Sequence, residues 1–245
     1  MTTVTTQNPV RTDLASTQAG DPDRTATTPS RLWAVAGIGA ALAGAATIVT
    51  SSAVDVVYRD EFSRGSVTGV ADALSDKTGV LFAFHSLTAL GAVLMVVFAA
   101  GLFRRLRATA GDSLAPVVAL VGLAGTAVVS ILGSGLDTEF MMPPGDGLTI
   151  DDGSAAIYNH WVGTIPWLWT LAGLAGLAIF AAARARAVPR WMGIVGLVLG
   201  GLTVVLGVSP LEYMSGVTGV LWLLATAIGF TVGDRQYREA FRAGR

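Results

Sequence analysis

The chain contains no cysteine. Disulfides, thiolate metal sites and cysteine nucleophiles are therefore excluded, and the redox compartment leaves no mark on the sequence. Charge is scarce as well. Asp, Glu, Lys and Arg make up 13% of the 245 residues, about half of the roughly 25% usual in soluble domains. The net charge of −1 sets up no strong field, so no nucleic-acid partner is expected. Histidine occurs only at His85 and His160. Catalytic signatures are missing too: the chain has no HExxH, no phosphate-binding loop and no GxGxxG at a strand–helix junction.

What the chain does have is apolar length. Hydrophobic residues make up 52% of it, and its mean hydropathy is +0.61. Six runs approach the ~20 apolar residues that a helix needs to cross a bilayer: Leu32–Val54, Gly79–Phe103, Leu114–Gly135, Trp161–Ala183, Trp191–Val208 and Leu211–Val232. The expected fold is therefore all-α, a polytopic membrane protein of six transmembrane helices spanning residues 31–233. Residues 1–30 carry nine threonines and almost no large apolar side chain. They cannot bury enough surface to offset chain entropy and read as a disordered tail. The first apolar run is too late and too long for a secretory signal, so it reads as an uncleaved span. Residues 234–245 form a basic tail.

Arginine sets the expected direction. Thirteen of the sixteen basic residues fall in the tails and in the 2–3 and 4–5 connections; Arg59, Arg64 and Lys77 fall on the other side. The positive-inside rule then puts both termini in the cytoplasm. The stretch 135–160 faces out, with Asp137, Glu139, Asp146, Asp151 and Asp152 and no Lys or Arg.

Local signals refine the reading. Ser209-Pro210-Leu211-Glu212 has the pattern of a helix start and should open span six. Pro166 should kink span four near its outer end. Trp33, Trp161, Trp167, Trp169 and Trp191 read as interfacial anchors. Residues Ser66–Ala73 could form a short surface helix. The pairs Gly196/Gly200 and Ala40/Gly44 allow close helix approach, expected within the bundle. Spans two and four share the wording VVFAAGLFRRLR and AIFAAARAR, the trace of a possible hairpin repeat along the membrane normal.

His85 is the one ionisable side chain placed well inside a span by these boundaries, which makes it a functional candidate. Leu81, Thr88 and Ala92 share its helical face, so it should point into the bundle. His160 stands at the mouth of span four beside Trp161. Asp137 and Glu139 lie in the outer loop with Met141 and Met142, and Trp167 stands near Pro166. The candidate ligand-binding set is His85, Asp137, Glu139, His160, Trp161 and Trp167. No catalytic residue is assigned. No cofactor is called for; a metal or haem held by the two histidines is a minor alternative, and no spacing identifies a metal.

Leu132-Gly133-Ser134-Gly135 resembles the GxSG of rhomboid proteases, which also have six spans. Its first glycine is replaced by leucine, and the only histidine expected to be buried, His85, precedes the serine instead of following it, so the activity does not carry over. No span interior holds an aspartate under these boundaries, which argues against carboxylate-based intramembrane proteolysis and against an ion-coupled pump. The runs FAAGLFRRLR and VPRWMGIVGLVLGG resemble those of uncharacterised multi-pass membrane proteins of actinobacteria. That resemblance implies a fold and a bacterial cytoplasmic membrane, and no activity. The leading functional expectation is a non-enzymatic accessory or interaction protein with an outward-facing small-ligand pocket. Its partners would be the lipid bilayer and another membrane protein. A permease-like binder of an uncharged or apolar solute is the alternative, and a metal- or haem-linked membrane enzyme the third reading.

Overall fold

The computed structural model describes residues 30–57, 67–142 and 150–233. Residues 1–29 and 234–245 of the expected tails, 58–66 with Arg59 and Arg64, and 143–149 with Asp146 lie outside these residues. Among the described residues the secondary structure is helical, without strands. The helices are α1 (Leu32–Val54), α2 (Val70–Ser75), α3 (Thr78–Ala110), α4 (Ala115–Gly133), α5 (Asp137–Met141), α6 (Asp152–Thr164), α7 (Thr170–Arg184), α8 (Arg190–Val195), α9 (Gly201–Gly207) and α10 (Met214–Val232). They combine into six segments long and apolar enough to cross a membrane.

The spans pack in chain order around a ring. α1 lies on α3, α3 on α4, α4 on α7, α7 on the α8–α9 span, and α10 closes the ring against α9 and α1. The interior is built from small residues: Ala34, Ala40, Ala92, Ala119, Ala172, Ala175 and Ala182 are all nearly or fully buried. Large aliphatics such as Val49, Val121, Leu132 and Val205 face outward, each more than 60% exposed. That inversion suits a bundle in lipid, where close backbone approach replaces hydrophobic driving force.

Gly196 and Gly200 do bring helices together inside the bundle. One π-helical turn spans Gly196–Gly200. A Cβ on Gly200 would lie 2.7 Å from the Cα of Gly176 on α7, and one on Gly173 would lie 2.7 Å from the Gly200 carbonyl. Ala40 is buried too, and Gly44 leaves room for the Trp169 ring.

Several boundaries move. Span two runs through 33 residues, on the order of 50 Å at 1.5 Å per residue. It carries Arg105 into a buried position, where its guanidinium donates to the Thr109 hydroxyl (2.8 Å) and the Ala187 carbonyl (3.4 Å). Span four begins nine residues earlier than Trp161, at Asp152. Span six starts at Met214, not Leu211: the Ser209 hydroxyl accepts from the Leu211 amide, so it caps a turn that precedes the helix. The short surface helix is Val70–Ser75, entered through Gly69 at φ 86°, a left-handed conformation that glycine adopts without strain.

Pro166 does more than kink span four. It lacks an N–H and crowds the preceding turn. Ile165–Trp167 tighten into a 3₁₀ turn, and the helix restarts only at Thr170. The freed groups find partners: Ser215 Oγ donates to the Trp167 carbonyl at 2.8 Å, and Trp169 Nε1 to the Pro166 carbonyl at 3.0 Å. Trp169 is thereby turned into the core, only 3% exposed, and is not an interfacial anchor. Trp33 also packs inward, its ring 5.6 Å from Phe98 and 5.3 Å from Phe230.

Above the bundle, at its acidic end, lies a separate layer. Val54, Val56, Val70, Leu74, Leu81, Phe84, Met141, Tyr158 and Val162 form its own apolar cluster. It joins the end of α1, the α2 helix, the start of α3, α5 and α6.

Candidate functional site: a buried carboxylate behind a half-exposed imidazole

The acidic layer is fixed by buried polar side chains. Asn159 is fully buried. Its Oδ1 accepts from the Val56 and Val57 amides at 3.0 and 3.1 Å, and its Nδ2 donates to the Val54 carbonyl at 3.1 Å. One side chain thus satisfies the backbone where α1 ends. Ser51 Oγ adds a bond to the Val162 carbonyl at 2.8 Å. Asp152 accepts from the Gly69 and Ala71 amides, both at 2.9 Å, and so caps α2 from a distance in sequence. Asp151 caps α6 itself: its carboxylate accepts from the Ser154 amide and hydroxyl at 2.9 and 2.6 Å. Those Ser154 bonds hold the Asp151 carboxyl below the usual carboxylate range.

Within this frame sits Asp137. Sequence boundaries put it in an outer loop; the structure turns the chain at 134–136 and packs it, 0% exposed, in one helical turn against α3. The expected end of span three at Gly135 is therefore corrected: the apolar segment runs on to Met141 and carries Asp137 at its outer end. Asp137 Oδ2 lies 3.0 Å from Nδ1 of His85, and Tyr158 Oη donates to Oδ1 at 2.8 Å. Phe140 stacks on the Tyr158 ring, with centroids 3.8 Å apart and planes 4° from parallel.

The chemistry follows from the donor count. A carboxylate is an acceptor only, and both of its oxygens here face hydrogen-bearing groups. With the Asp137 carboxyl ionised, Nδ1 of His85 carries the proton. In the neutral imidazole the other nitrogen, Nε2, is left as a bare acceptor or ligand. No hydrogen bond to Nε2 is present among the described residues. The His85 side chain is 35% exposed, with Nδ1 the nitrogen turned to Asp137.

The expected orientation of His85 holds in part. Leu81, Thr88 and Ala92 are buried as their spacing required. His85 itself lies at the edge of that face, with one nitrogen turned to Asp137 and the ring half open.

The other candidates separate from this group. His160 is exposed, two residues from Tyr158 and so about 200° round the helix from it; the structure does not bring it to His85. Glu139 is exposed and lines an open cleft of about 480 Å³ with Phe140, Ile150 and Asp151. Trp161 is half-buried and donates from Nε1 to the Gly133 carbonyl at 2.9 Å. Trp167 is half-buried at the break in span four. Among the described residues no three His, Cys, Asp or Glu side chains come together to hold a metal ion. Tyr158 and Asn159 are the site residues that sequence reading passed over. Their signal was present: Ala155, Tyr158, Asn159 and Val162 recur at helical spacing ahead of the apolar run.

A smaller cavity lies lower, beside the break in span four. It encloses about 20 Å³, lined by Thr47, Thr88, Ser130, Gly133, Pro166 and Trp169 among others. That is room for about one water molecule.

No protein-family model matches the chain, and no curated protein or solved structure is significantly similar to it.

Proposed function

We propose that this is a non-enzymatic protein of the bacterial cytoplasmic membrane, with both termini inside, that holds a small ligand at His85 on its outward-facing layer. The observation that supports this reading is the Tyr158–Asp137–His85 chain. As a device for stability it is poor, because burying a carboxylate costs several kcal/mol and an apolar replacement of the whole group is often neutral or better. As a device for presenting one imidazole nitrogen in a fixed tautomer it is well made, since a carboxylate behind a histidine sets both its orientation and its basicity. Among the described residues no third His, Cys, Asp or Glu joins His85 and Asp137, so binding is favoured over catalysis.

The test is a thermal-shift screen of small molecules on the protein in lipid nanodiscs, with His85→Ala alongside. Compounds that stabilise the native chain should lose that effect in His85→Ala, with expression intact. If every stabilising compound acts equally on both proteins, His85 is not the site. Orientation is tested separately with single cysteines at Thr149 and Asp112, an exposed position. An impermeant thiol reagent on intact cells should label the first and spare the second.

A second reading, a permease-like binder of an uncharged or apolar solute, has one observation behind it. The broken span four lines the small cavity, and discontinuous helices mark solute sites in many transporters. At about 20 Å³ the cavity would have to open to admit more than water.

A further inference from the structure

We infer that the ligand of His85 is an amphiphile whose hydroxyl head donates to Nε2 and whose apolar tail lies along α3 in the outer leaflet. This rests on the reading of His85 as a ligand site and adds the class of molecule.

Three observations converge. The first is depth. Arg104 marks the inner end of the apolar part of α3, and about 20 residues span the hydrocarbon layer. Counting back from Phe103 reaches Phe84, so His85 stands at the outer hydrocarbon boundary, where a polar head and an apolar tail part company. The second is the surface. Phe82, His85, Ala89, Val93 and Val96 follow at spacings of three and four and so share one stripe of the helix. Phe82, Val93 and Val96 are 52%, 57% and 48% exposed, and Ala89 and His85 are half-buried. The imidazole is thus the one polar group on this apolar stripe, one turn in from Phe82. The third is polarity. With Nδ1–H committed to Asp137, the open nitrogen accepts. It suits an alcohol or phenol donor and offers nothing to a carbonyl or an ether oxygen. An unpartnered acceptor at the edge of hydrocarbon is costly, and a hydroxyl head removes that cost while its tail covers the stripe.

The probes are para-dodecylphenol and its methyl ether, which differ only in the donor, and zinc ion as a water-soluble ligand for a bare imidazole. They are added to the full chain in phosphatidylcholine nanodiscs, with His160→Gln leaving one histidine for NMR. The phenol should raise the melting temperature and move the Nε2 resonance. The ether should bind about tenfold more weakly, the factor that one hydrogen bond supplies. His85→Phe, which keeps a ring on the stripe, should bind phenol and ether alike. Equal binding of phenol and ether to the native chain, with no movement at Nε2, would overturn the inference. If zinc moves the resonance and the phenol does not, the amphiphile is wrong and the ligand site at His85 stands. If none of the three moves it, both readings fall.

Discussion

The bundle and the acidic layer of this molecule are held by different means. In the bundle, α7 and the span-five π-helical turn meet backbone to backbone through Gly173, Gly176 and Gly200, and the polar atoms largely bond within their own helices. In the acidic layer, Asn159 and Asp152 reach across to other elements and finish hydrogen bonds that the backbone cannot, and Asp137 joins side chains of two other helices. The contrast follows from solvent. A helix in lipid satisfies its own backbone, so packing needs only small side chains. Where helices end and the chain turns, bare amides and carbonyls need partners, and side chains from distant positions supply them. Chemistry therefore collects in the layer and not in the bundle.

The comparison can be broken at either end. Asn159→Ala should have the largest effect. It strands two amides and a carbonyl in a buried place, at about 1–3 kcal/mol for each unsatisfied group. Hydrogen exchange at 54–57 and along α6 should accelerate strongly while α7 and α10 stay protected. Equal acceleration throughout would show that layer and bundle unfold as one. Gly200→Ala acts on the other side. Its new Cβ meets the Gly176 backbone, and overpacking of this kind costs about 1–3 kcal/mol. Thermal unfolding should shift down while the His85–Asp137 pair is unchanged; an unaltered melting curve would mean that the helices part without cost.

Tyr158→Phe should cost somewhat less, about 1–2 kcal/mol, because the ring stack on Phe140 survives and only the bond to Asp137 is lost. A melting curve matching the native chain would remove Tyr158 from the group. The smallest effect belongs to Asp151. Its carboxyl is held below its ordinary value of 3.8. The stabilisation is therefore present above that pH and is lost as the pH falls through the lower folded value. The Ser154 amide should exchange faster only in that acid range. Asp151→Asn, which keeps a cap, should remove the pH dependence.

Six spans were legible in the sequence because a bilayer demands long apolar runs, and Leu32–Val54 agrees end to end with its helix. The site was less so. Hydropathy ends span three at Gly135, since the residues beyond it are acidic. Yet the short turn beyond it folds the Asp137 carboxylate inward against α3, beside the buried Met141. The break at Pro166 was legible as a proline in a helix. That it would bury Trp169 was not, since the distant Ser215 bonds the backbone of that turn at Trp167 and Trp169. His85 was found for being ionisable in a span, but its partner lies 52 residues away in sequence, beyond the reach of any local pattern.

The central claim is that Asp137 fixes the tautomer of His85, and NMR of isotope-labelled histidine tests it most directly. In nanodiscs at neutral pH, with His160→Gln leaving a single ring, Nδ1 should carry the proton and Nε2 should be bare. Asp137→Leu should abolish that preference. A proton on Nε2 with Nδ1 bare, unchanged by Asp137→Leu, would contradict the account.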